Sequence, residues 1–230
     1  TYPEYANWTP RNADNKYEGF YTLKGALSQS INTIAVEVLL QTGIDSVIAQ
    51  ARRLGITAEL PPYPSLALGV ADIPLKEMIR PFACFANGGK LVSQYYLNEI
   101  KDRQGNILYK APEPEITKAL SETEAGLMSN MLAAAINEGT GRRLRTNYGL
   151  KNEIAGKTGT TQNHVDGWFI GYNPRIVVGI RVGANDASIH FNDLRLGQGA
   201  NMALPPFGEF MIRCLNSPTY SYWNTLAFPI

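Results

Sequence analysis

The chain has 230 residues, 44% of them hydrophobic and 18% charged, and its 21 Lys and Arg stand against 20 Asp and Glu for a formal net charge of +1. Such a balance belongs to soluble globular proteins and excludes the basic field with which proteins recruit nucleic acid. Uncharged stretches such as residues 25–36 and 214–230 are too short or too polar for a membrane span, which takes about 20 consecutive apolar residues.

Residues 1–21, rich in Tyr, Pro, Asn and Gly without a period, read as an irregular lead-in. Thr22 then caps a short helix through Leu23, Ala26 and Leu27. The helical pattern breaks at Ser28-Gln29-Ser30 and resumes over 31–40, apolar nearly all round, which predicts a buried helix ending before Gly43. Asp45 is placed to cap a further helix up to Gly55. The Pro-rich stretch 59–74 reads as a loop, and 75–87 as a helix stopped by Gly88-Gly89. Segments 95–101 and 107–110 flank a turn-forming run and predict a peripheral hairpin.

Ser121-Glu122-Thr123-Glu124 fits a capping box, and Leu127, Met128, Met131, Leu132, Ala135 and Ile136 form a helical stripe that Gly139 ends. Three strands are expected at 154–160, 167–172 and 175–183, joined by connections short enough to make them antiparallel neighbours. Residues 198–211 read as a closing helix, its start blurred by Pro205-Pro206. This order defines an α+β fold rather than alternating βαβ units. We expect one domain over 1–230, with a helical region at about 22–140, sheet strands at about 153–183 and a C-terminal helix at about 198–215. Cys84 and Cys214, the only cysteines, lie in apolar helical context and read as two buried free thiols rather than a disulfide or metal pair. No signal peptide is visible, and a chain beginning at Thr1 looks like an excised piece of something longer.

Two constellations carry chemistry. Lys157-Thr158-Gly159-Thr160 puts a compact point charge, two hydroxyls and a glycine that admits another backbone on one strand, which suits an extended ligand with a free carboxylate. A surface strand with an exposed lysine is the bland alternative. A phosphate-loop reading of Gly156-Lys157-Thr158 fails, because Lys151 stands where the motif requires glycine and a strand follows where it requires a helix. The second constellation is Ser30-Ile31-Asn32, whose outer side chains can turn towards one cavity at an irregular helix junction; local capping is its alternative. His164 and Asp166 read as loop polarity, and Arg142 and Arg143 as a solvated loop. His190 has no ligand-spaced partner, and Trp168, Phe169 and Tyr172 read as packing. No cluster meets a zinc pattern, so neither metal nor cofactor is expected.

Taken together, Ser30-x-Asn32 and Lys157-Thr158-Gly159-Thr160 are similar to the second and third motifs of the serine penicillin-recognising enzymes. The stretches GALSQSINTIAVEVL, LGIT, PSLALG, FANGG, GTGRRL, AGKTGTTQNHVDGWFIGY and GQGANMALP, in this order, resemble the transpeptidase domain of a class A penicillin-binding protein along nearly the whole chain. The resemblance implies acyl transfer on a peptidoglycan stem ending in D-alanyl-D-alanine, with β-lactams as mimics of the donor. By position it implies that Lys157 and the hydroxyls of Thr158 and Thr160 hold the terminal carboxylate while the 157–160 strand edge pairs with the ligand backbone. The Thr160 N–H would be an oxyanion donor, Ser30 would relay a proton, and Asn32 would orient the general base and bind the substrate amide. It further implies a glycosyltransferase domain and membrane anchor outside this chain, and a place at the outer face of the bacterial cytoplasmic membrane.

One part of the pattern is missing. None of the ten serines has a lysine three residues on, and no T-x-x-K occurs either. The S-x-x-K motif, which supplies nucleophile and base, is therefore expected upstream of Thr1, so that the isolated chain forms no penicillin adduct. Two other readings remain at this point. One is a binding or sensor module that recognises penicillin without turning it over. The other is a serine β-lactamase, against which stands the lack of an E-x-x-L-N segment.

Overall fold

The computed structural model describes residues 2–5, 7–17, 19–161, 165–186 and 188–228. β5 (Ala155–Thr160), β6 (Asp166–Tyr172) and β7 (Val177–Gly183) form an antiparallel sheet in the order β5-β6-β7. Lys157 lies opposite Ile170, Thr158 opposite Phe169 and Thr160 opposite Gly167. Side chains alternate across a sheet, and here both faces are covered. On one face, α8 (Gly199–Met202) and α9 (Leu204–Asn216) bury Phe169 beneath Leu204, Phe207 and Met211, with the Phe169 and Phe207 rings edge to face at 4.9 Å. The other face carries α4 (Leu75–Ala86) and α5 (Glu122–Asn137). There Tyr172 meets Phe82 edge-on at 6.1 Å and donates its hydroxyl to Ser129 Oγ at 3.0 Å. Burial pushes the Tyr172 phenol well above its usual range. The result is the expected α+β architecture, with the sheet between two helical layers.

Local chemistry sets the helix ends that matter most. Thr22 caps α1 (Leu23–Gln29), its hydroxyl accepting the Gly25 N–H at 3.1 Å. The break expected at 28–30 falls at its end: Ser28 and Gln29 still belong to α1, Ser30 is left-handed (φ 56, ψ 48), and α2 (Asn32–Thr42) starts two residues later. The capping box of α5 is complete, with Ser121 Oγ accepting the Glu124 N–H at 3.2 Å and the Glu124 carboxylate accepting the Ser121 N–H at 2.7 Å. Ser121→Ala is expected to cost about 1 kcal/mol, read as a lowered denaturant midpoint; no change would show that α5 is held by packing alone.

Several expectations are corrected. The 31–40 segment is helical but not buried all round: only Val36 and Leu39 of α2 are buried, because it packs on one side against the 3-10 turn Pro64–Leu68 and on α3 (Ile44–Arg53). That turn lies inside the stretch expected to be a loop. Asp45 is not the cap of α3, which Gly43 occupies, but a first-turn acid. In α5 the buried residues are Ala125, Ser129, Leu132, Ala134, Ala135 and Ile136, whereas Leu127 is 63% exposed. Leu132 packs with Ala155 and Tyr172 of the sheet, and small side chains fill much of the rest of the buried face.

The helical region also holds four short strands. β2 (Glu99–Lys101) and β3 (Ile107–Lys110) make the predicted hairpin, exposed at every residue. β1 (Lys90–Val92) pairs with β4 (Ile116–Lys118), a long-range pairing absent from the local pattern. The closing helix is three pieces, α7 (Leu194–Gly197), α8 and α9, because Pro205 and Pro206 fit only the first turn of a new helix. Cys84 is buried, with its thiol pushed up to about 11 by desolvation, but Cys214 is only half-buried; both are free. Among the described residues no single helix is long and apolar enough to cross a membrane, and α2 and α3, which pass that test only as a pair, meet at 91°.

Candidate functional site

β5 is an edge strand, and its register decides what the edge offers. The Thr161 N–H donates to the Asp166 carbonyl at 3.1 Å, which makes that pair a hydrogen-bonded one. Bonded and non-bonded pairs alternate in an antiparallel ladder, so the backbone groups of Thr158 and Thr160 point away from β6. No strand among the described residues pairs with that side. The free edge thus presents the Thr158 carbonyl and the Thr160 N–H.

Lys157 immediately precedes Thr158, on the α5 face of the sheet. Its Nζ donates to Ser30 Oγ and, at 3.1 Å, to the Thr158 carbonyl. Among the described residues no carboxylate pairs with it. The residue is half-buried, and desolvation lowers its ammonium from the usual value to about 8. Lys157 is thus a cation crowded by protein, without a carboxylate partner among the described residues, beside an open strand edge.

Ser30 reaches Lys157 because of its backbone. Its N–H donates to the Leu27 carbonyl at 3.2 Å and the next N–H, of Ile31, to Ala26 at 3.0 Å, closing α1 with a left-handed residue. This is the place glycine usually takes. A serine there costs about 1 kcal/mol or more and persists where the surroundings hold it. Asn32, by contrast, is not joined to Lys157: its Nδ2 donates to the Arg11 carbonyl at 2.8 Å. The structure therefore brings Ser30 together with the Lys157–Thr160 strand and turns the Asn32 amide to the lead-in.

Three further contacts escaped sequence reasoning. Thr140 Oγ1 lies 2.7 Å from Thr158 Oγ1, tying the end of α5 to β5. Thr160 Oγ1 accepts the Gly199 N–H at 3.0 Å. Arg143, expected in a solvated loop, belongs to the short helix α6 (Arg143–Thr146) and donates to the Ala200 carbonyl at 3.2 Å and to Asn201 Oδ1, so it braces α8 behind the edge. The glycine pairs around Thr140 and Gly199 were the available signal, although only the tertiary contacts give them meaning. Asp166 opens β6 instead of lying in a loop, and its carboxylate accepts Arg181 Nε at 2.8 Å. His164 lies outside the described residues. The groove of about 470 Å³ between α4 and residues 93–96 lies at the β7 edge, away from Ser30 and Lys157. Among the described residues no group of three His, Cys, Asp or Glu could hold a metal.

An open strand edge whose lysine meets a serine at a helix junction is the arrangement expected of a penicillin-recognising transpeptidase domain. The family model described as penicillin binding protein transpeptidase domain matches residues 63–191, and the chain belongs to that family. It is 35% identical over 208 residues to penicillin-binding protein 1A of Aquifex aeolicus, covering 89% of this chain and 27% of that protein. Among solved structures it is similar to penicillin-binding protein 1A from Haemophilus influenzae, with a TM-score of 0.83 and 27% identity over 92% of this chain and 37% of that one. The imipenem acyl-enzyme complex of penicillin-binding protein A from M. tuberculosis shares the fold at a TM-score of 0.68 and 20% identity, over 85% of this chain and 48% of that one. The chain thus spans about a quarter of the length of the curated relative it matches.

Proposed function

We propose that this chain is the C-terminal part of a D,D-transpeptidase domain that cross-links peptidoglycan stems ending in D-alanyl-D-alanine and is acylated by β-lactams. In the reaction, a serine hydroxyl from an S-x-x-K motif upstream of this chain adds to the carbonyl of the penultimate D-alanine. The C–N bond breaks, the leaving D-alanine takes a proton on its amine, and an ester to the serine remains. An amine of a neighbouring stem, or water in a carboxypeptidase reaction, then displaces the serine, which regains its proton.

The residues of this chain bind and orient. Lys157 with the Thr158 and Thr160 hydroxyls holds the terminal carboxylate, and the outward backbone of β5 pairs with the stem as an added strand. The Thr160 N–H donates to the developing oxyanion. Ser30, on the Lys157 amine, passes a proton near the leaving group, and Gly159 keeps the edge free of side chain. Asn32 contributes through the junction it helps to fix. The parent protein, with a glycosyltransferase domain and membrane anchor outside this chain, would work at the outer face of the bacterial cytoplasmic membrane.

The observation that carries this reading is the Ser30–Lys157 pair beside the unpaired edge of β5. Fluorescent penicillin should label the full-length protein stoichiometrically, and peptide mapping should find the label on a serine of an S-x-x-K sequence outside these 230 residues. An unlabelled protein, or label on Ser30, would overturn it.

A further inference from the structure

A helix leaves its first N–H groups without intrahelical partners, and α2 has at its N-cap Ile31, which offers no side-chain acceptor. The acceptor arrives from 21 residues upstream. Asn12, only 6% exposed, places Oδ1 3.1 Å from the Thr33 N–H and 3.3 Å from the Thr33 hydroxyl. Its carboxamide is kept in that orientation by its other end, Nδ2 donating to the Lys16 carbonyl at 2.6 Å. The segment closes on itself through the Asn15 N–H to the Asn12 carbonyl and the Lys16 N–H to the Asp14 carboxylate, both at 3.0 Å. With the Asn32 amide on the Arg11 carbonyl, residues 11–16 make a strap across the first turn of α2.

Ser30 stands immediately before that turn. On its α1 side it is anchored by the carbonyls of Ala26 and Leu27; on its α2 side it is followed directly by the turn that Asn12 caps. We propose that Asn12 is a positioning residue for the Ser30–Lys157 pair: by supplying the N-cap of α2 from the lead-in, it holds Ser30 left-handed and its hydroxyl on Lys157 Nζ. The capping group is the Oδ1 acceptor for the Thr33 N–H; the Nδ2 bond to the Lys16 carbonyl supports it without being part of the cap. The kinetic consequence rests on the acylation chemistry proposed above, whereas the capping does not.

Both are tested in the full-length protein with Asn12→Ala. Amides of residues 30–33 should exchange faster while those of α5 keep their protection. The rate constant of acylation by fluorescent penicillin should fall about tenfold, the size of effect expected when about 1.4 kcal/mol of positioning is lost. The dissociation constant of the preceding complex should stay unchanged, since the β5 edge is untouched. Adding Ile31→Asn gives α2 its own cap and should restore both exchange and rate. Faster exchange with an unaltered acylation rate, or no restoration by Ile31→Asn, would reduce the strap to a stability element and overturn the proposal. Should Asn12→Ala lose protection throughout, Asn12→Asp is read instead. It keeps the acceptor, so a rate within about twofold of wild type supports the role and a tenfold loss refutes it. If the wild-type protein is not acylated at all, the proposed function fails, and exchange at 30–33 alone decides whether Asn12 positions the junction.

Discussion

Gly199→Ala is expected to destabilise the domain by about 3 kcal/mol, near the upper end of ordinary overpacking, and to slow acylation with it. A Cβ at this position would lie 2.1 Å from the Gly159 carbonyl oxygen and 2.6 Å from that of Trp168. Both atoms are backbone in a paired sheet, so no side chain can swing aside. The helix α8 must instead lift from β5, and in doing so it withdraws the Gly199 N–H from Thr160 Oγ1. The measurement is a denaturant midpoint together with the penicillin acylation rate. A variant of wild-type stability would show that α8 moves freely against the sheet, contrary to the packing described.

Lys157→Met separates function from stability. Removing the cation proposed to meet the ligand carboxylate should lower the second-order acylation constant by roughly 10²–10³-fold, in the range for truncating one partner of a close charge pair. Stability at pH 7 should hold or rise, because a desolvated ammonium with no carboxylate partner among the described residues opposes folding. The sign follows from linkage. The folded state holds Lys157 at about 8, below its usual 10.5, so between these values the unfolded chain binds more protons and stability rises with pH. Wild type should therefore gain stability from pH 8 to 10.5, and Lys157→Met should lack that gain. Ligand capture runs the other way: the ammonium is lost as pH rises through about 8, and the acylation constant for a carboxylate-bearing penicillin should fall with it. A flat wild-type profile, or a Met variant acylated at full rate, would sink the carboxylate-holding role.

What could be read from the sequence was what is local. The Ser28–Ser30 break, the Ser121 capping box and the three strands around Lys157 each declare themselves within a few residues, through spacing, caps and alternation. Leu127 misled because apolarity alone does not decide which face of a helix is buried: Ala125, Ser129 and Ala135 of α5 are buried while Leu127 faces out. Asn12, Thr140, Arg143 and Gly199 were missed for a different reason. Each acts on a residue far along the chain, and nothing in its own neighbourhood encodes the partner. Asn32 shows the limit of motif reasoning, since its place in Ser30-x-Asn32 was legible while its bond to the Arg11 carbonyl was not.

The Ser30–Lys157 contact joins residues 127 positions apart. During synthesis, α1 and α2 leave the ribosome long before the strand that gives Ser30 its partner, and a contact of such separation closes late because the intervening chain must first be ordered. Until then the left-handed serine rests on its own helix ends and on the strap alone. A nascent chain arrested before residue 157 lacks the proposed anion site altogether, which makes that site among the last features this polypeptide acquires.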